Sequence, residues 1–96
     1  MWIFKEQHMT ILDIKEKNKK EGYHFFDKDT MVACKSKIES KVFNNKYFIT
    51  SEQFGDEPRY YTIREVKENG RIFTINIGKR LTKEMALIKI KQLIEE

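Results

Sequence analysis

Asn69-Gly70 stands between two stretches in which apolar and polar residues alternate, and that pattern limits what this part of the chain can fold into. Asparagine and glycine accept the positive φ angles of a tight hairpin turn, so Arg59 to Lys67 and the run through Phe73, Ile75 and Ile77 are expected to pair as antiparallel strands. Asn44-Asn45 repeats the signal. Ile38, Ser40 and Val42 alternate with charged residues before it, and a second strand, Lys46 to Gln53, follows it. Gly55 to Pro58 then breaks the pattern as a connecting loop.

Helical spacing takes over at both ends. Thr10 with Asp13 three residues later reads as a capping box, with Gly22 as the stop. Only Ile11, Leu12 and Ile14 are apolar in that helix, so its first turn is expected to pack and its charged and polar second half, Lys15 to Glu21, to be solvated. Asp27 to Met31 suggests a short capped helical turn. Thr82 caps a final helix whose Ala86, Leu87, Ile90, Leu93 and Ile94 fall within an arc of about 120°. The expected architecture is α+β: a four-stranded antiparallel meander packed by a C-terminal helix, with a short N-terminal helix and a capped turn at its edge.

With 96 residues there is room for a single core, so one domain is expected over 1–96. The 40% apolar content supports a folded chain despite its charge. The lone Cys34 offers no internal disulfide, and Met1 to Phe4 is too short an apolar start for a signal-peptide core or a membrane span. Both point to a reducing cytoplasm. The net charge of +4 permits nucleic acid without arguing for it.

No set of residues announces catalysis. His8, His24 and Cys34 lack the paired spacing of structural zinc, and Asp27 with Asp29 is read as helix capping in preference to a hard-cation site. His24 and Cys34 are the one nucleophile and base pair close in sequence, and no third group marks them. The glycines stand singly at element ends, where no phosphate loop can form. No metal, cofactor or small-molecule substrate is implied. An enzyme would require at least two of His24, Asp27, Asp29, Cys34 and Glu52 to converge in one pocket.

The sheet face away from the C-terminal helix is expected to be uncovered and to display Phe48, Tyr60, Arg64 and Ile72, with Lys46, Arg59 and Arg71 nearby. Two uses fit such a surface. One is a protein interface, to a host protein or to a second copy; the other is single-stranded nucleic acid, stacked on the rings with phosphates on the cations.

The segment GYHFFDKDTM at 22–31, with SKIES at 36–40, YFITSEQF at 47–54 and PRYYTIRE at 58–65, resembles a family of small uncharacterised proteins from phages and bacterial mobile elements. The resemblance runs from about Asn18 to Ile77 and departs from the family pattern at Val32, Ala33 and Cys34. It implies a mobile-element context, in which small non-enzymatic proteins bind and block host machines, CRISPR and other defence nucleases among them. The function expected is therefore a non-enzymatic binding protein in the bacterial host cytoplasm, with single-stranded nucleic-acid binding as the alternative.

Overall fold

The computed structural model describes residues 9–95, so the apolar start Met1 to Phe4 and His8 lie outside the described residues. Helix α1 spans Ile11–Lys20, α2 Lys28–Ala33 and α3 Lys83–Glu95, around strands β1 Lys37–Ile38, β2 Tyr47–Glu52, β3 Tyr60–Val66 and β4 Ile72–Thr74. The strands form one antiparallel sheet in the order β1-β2-β3-β4, the expected meander.

One turn takes the tight form expected of its residues and the other does not. Asn44 and Asn45 have φ of 52° and 56°, and Phe43 O accepts from Lys46 N and Tyr47 N to close a tight turn. Between β1 and that turn, Ser40 Oγ accepts from Ile49 N at 2.8 Å, a side chain standing in for a missing backbone partner where the edge strand bulges. At the other hairpin Gly70 alone takes positive φ, at 87°, and Lys67 N bonds Arg71 O, so the loop is longer than a two-residue turn.

The sheet separates its side chains by parity. Tyr47, Ile49 and Ile63 point to the face that Ala86 and Ile90 of α3 cover, and these five buried residues form the first core cluster. Thr82 starts α3 as expected, its hydroxyl accepting from Met85 N. Leu87 and Ile94, expected in the packed stripe, are 41% and 38% exposed because only the narrower line through Ala86, Ile90 and Leu93 meets the sheet.

The opposite face is not left open. Helix α1 lies across it rather than at the sheet edge, and Ile14 joins Phe48 and Val66 in a second core cluster. Its capping box forms as expected, with Thr10 Oγ1 accepting from Asp13 N and Asp13 Oδ2 from Thr10 N. Gly22, at φ 89°, ends it: Gly22 N bonds Lys19 O and Tyr23 N bonds Asn18 O, the paired bonds of a left-handed helix stop.

The expectation that the second half of α1 is solvated fails at Asn18. This residue is 1% exposed and donates through Nδ2 to Gly70 O at 2.7 Å, tying α1 to the β3–β4 turn. Met9 N donates to Asn45 Oδ1 in the other turn at 2.9 Å, so one polar bond at each end of the segment fixes the helix across the sheet. Phe25 and Phe26 complete the cover, with ring centroids 6.4 and 6.1 Å from that of Phe48.

β4 stops early for a definable reason. The expected strand through Ile75 and Ile77 ends at Thr74, and the Asn76 side chain takes over: its Oδ1 accepts from Ile63 N at 2.9 Å and its Nδ2 donates to Tyr61 O and Lys79 O. The chain from Ile77 to Arg80 is thereby pushed out as a loop before Leu81 rejoins β3 opposite Tyr61. Among the described residues no helix is long and apolar enough to cross a membrane.

Candidate binding site

Beyond the cover of α1 and the two phenylalanines, the remaining end of that face is polar. Phe48, Thr50 and Glu52 share parity on β2, as do Tyr60, Thr62 and Arg64 on β3, and the register sets Thr50 opposite Thr62 and Arg64 opposite Thr74. Four donors converge on the Glu52 carboxylate. Thr62 Oγ1 donates to Oε1 at 2.6 Å; Thr50 Oγ1, Arg64 Nη2 and Ser36 Oγ donate to Oε2 at 2.7, 3.1 and 3.3 Å. Arg64 also bonds Thr50 through Nε and Thr74 through Nη1, and its guanidinium lies 5.0 Å from the Phe25 ring centroid. A carboxylate 4% exposed is thus paired with a guanidinium and hydrogen-bonded at both oxygens, as burial of a charge requires.

Above this network lies a concavity of about 400 Å³, lined by Tyr60, Arg64 and Thr74 and by the Asn76 to Arg80 loop. Arg80 stacks 4.8 Å from the Tyr60 ring centroid and pairs with Glu57, and Phe54 packs on the same ring at 5.8 Å. Partial burial and the Glu52 charge push the Tyr60 hydroxyl above the usual tyrosine range, so it is a neutral donor at physiological pH.

A second groove adjoins the first and shares Asn76, Ile77 and Lys79 with it; Leu81, Met85 and Ile88 form its apolar floor and wall. Ile77 is 79% exposed, Ile88 58% and Met85 52%, a cluster of large apolar side chains facing water at one flank of α3.

The residues expected on a single uncovered face are dispersed. Tyr60 and Arg64 do line the concavity. Phe48 is 0% exposed beneath α1 and Phe26, and Ile72 is half-buried in the same cluster, so neither presents the surface expected of it. Arg59 donates to Lys35 O and Ser51 Oγ, both at 2.8 Å. Lys46 and Arg71 sit at the turns of the far end, over the rings of Tyr47 and Phe73. Ile77, Lys79, Arg80, Met85 and Ile88 were absent from the expected site. The strand pattern carries Ile77 in the sheet and the α3 stripe does not include Met85 or Ile88, so only their adjacency reveals them.

The groups weighed for catalysis do not meet in one pocket. Of His24, Asp27, Asp29, Cys34 and Glu52, only Glu52 lines the concavity, while Asp27 borders a separate depression beside α1. Asp27 occupies the N-cap position of α2 but makes no side-chain cap bond; its carboxylate meets His24 Nδ1 at 2.8 Å instead. Among the described residues no three His, Cys, Asp or Glu side chains are grouped to hold a metal ion.

A family model described as a family of unknown function, DUF7447, matches residues 10–79. The chain belongs to DUF7447. No curated protein matches the chain, and neither does any solved structure. The matched stretch of this DUF7447 member takes in α1, all four strands and the loop to Lys79; α3, which supplies Ala86 and Ile90 to the core and Met85 and Ile88 to the groove, follows it.

Proposed function

We propose that this protein is a non-enzymatic binding protein that captures a protein partner through the surface joining the Tyr60–Arg80 concavity to the Ile77, Met85 and Ile88 groove. The observation that carries the reading is the exposure of those three apolar side chains beside a polar, cation-bearing rim, the composition of an interface centre with its border. The resemblance to phage and mobile-element proteins gives the finer form of the proposal: a partner in a bacterial host cytoplasm, of the kind represented by CRISPR and other defence nucleases, blocked by occupation of its surface.

The test is capture from a bacterial lysate by the wild-type chain, by Ile77→Asp with Ile88→Asp, and by Val32→Asp on the remote α2. All three substitutions fall on residues more than half exposed and are expected to leave the fold intact. A partner lost with the first variant and kept by the second is the expected result; a partner bound equally by all three rejects this surface.

A second reading, single-stranded nucleic acid, is favoured by one observation. Phe73 is 39% exposed, with Arg71 and Lys67 4.9 and 5.1 Å from its ring centroid. It predicts oligonucleotide affinity that falls steeply with salt and is lost with Phe73→Ala.

A further inference from the structure

The concavity carries more positive charge than its own carboxylate balances. Glu52 is answered by Arg64 and accepts four hydrogen bonds, whereas Lys79 makes no ion pair among the described residues. Arg80 is held by Glu57 alone, in a pair whose side chains are 58% and 56% exposed and which is therefore weak and exchangeable. The Tyr60 hydroxyl has no hydrogen-bond partner among the described residues, and it remains a donor at neutral pH. Two cations and a free hydroxyl at the mouth of one concavity fit an oxyanion.

What adjoins the concavity decides which oxyanion. The neighbouring groove over Leu81, Met85 and Ile88 is mainly apolar and offers Lys89 as its one further cation, which suits a peptide side chain and not a run of phosphates. Building on the protein-binding reading above, we infer that the surface selects a partner segment in which an acidic side chain stands beside a large apolar one. The carboxylate replaces Glu57 on Arg80 and meets Lys79 and the Tyr60 hydroxyl; its apolar neighbour lies against Met85 and Ile88. The Arg80–Glu57 pair holds the guanidinium over Tyr60 until that exchange.

The inference is tested by following the backbone amides of the full chain by NMR while titrating a capped Glu-Leu-Phe peptide, its Gln-Leu-Phe counterpart and oligothymidylate to millimolar concentration. The glutamate peptide is expected to shift Gly78, Lys79 and Arg80 together with Met85 and Ile88. The glutamine peptide is expected to bind about tenfold more weakly, the value of a charge-assisted hydrogen bond. Arg80→Gln should narrow the difference between the two peptides, and Arg80→Gln with Lys79→Gln should abolish it, while the groove still responds. Equal affinity for both peptides, or no shift at Gly78 to Arg80, overturns the inference; partner capture that still depends on Ile77 and Ile88 would then leave the protein-binding reading standing. Stronger, salt-sensitive shifts of the same amides by oligothymidylate would assign the concavity to phosphate and overturn it as well.

Discussion

Arg64 Nη2 donates to Glu52 Oε2 at 3.1 Å beneath the concavity, joining β3 to β2 on the face that α1 covers only in part. The pair stands at the boundary between the apolar cluster around Phe48 and the polar end of the same sheet face, and Arg64 touches both through Phe25 and Thr74.

Removing one member of that pair strands the other. Arg64→Ala is expected to destabilise the fold by about 3 kcal/mol or more, since the Glu52 carboxylate keeps its burial and loses its countercharge. Loss of binding in such a variant would report unfolding, not contact. A double-mutant cycle with Glu52→Gln, followed by urea denaturation, should give a coupling of roughly 1–3 kcal/mol; additive effects would show that the two side chains act separately.

Phe48→Ala should cost about 3–5 kcal/mol, the usual penalty for emptying a ring-sized space in a core. The same substitution would change binding but little in stability if the ring were a surface platform, so the denaturation midpoint decides between the two roles.

Asn18→Ala is expected to lose roughly 1–3 kcal/mol, because Gly70 O would be left buried without a donor. Gly70→Ala should also destabilise. Its φ of 87° disfavours any Cβ, and that atom would stand 3.1 Å from Lys17 Cγ and 3.2 Å from Lys17 O. In both variants hydrogen exchange should accelerate first in α1; unchanged protection along α1 would show that the Asn18–Gly70 contact does not hold the helix.

Tyr60 adds a pH dependence. Burial and Glu52 raise its hydroxyl pKa above the ordinary value near 10, so the folded state holds that proton more tightly than the unfolded chain. The resulting stabilisation is fully present below the unfolded pKa and is lost as pH rises from there through the folded pKa. Stability measured above pH of about 10 should therefore fall less steeply in Tyr60→Phe than in the wild type. Parallel curves would place Tyr60 in ordinary solvent.

Much of the fold is local chemistry and could be read residue by residue. Thr10 with Asp13, Gly22, the asparagine pair at 44 and 45, and Thr82 each mark an element boundary that the structure reproduces. The site was less legible. Tyr60 and Arg64 could be placed on one face by strand parity, but the α3 residues beside them belong to a different element and a different periodicity.

The sequence by itself determined the kinds of element, their order, where the turns fall, and which side chains share each strand face, because capping, positive φ and the two-residue period act between near neighbours. Only the tertiary structure decided what covers those faces. Helix α1 crosses the sheet through two polar bonds, Asn18 to Gly70 O and Met9 N to Asn45, which a count of apolar residues does not register. β4 ends because one amide side chain, Asn76, supplies the ladder bonds that the backbone gives up, and the loop released there builds the rim of the concavity. Such bonds join residues distant in sequence, and their partners are set only once the sheet has brought them within about 3 Å.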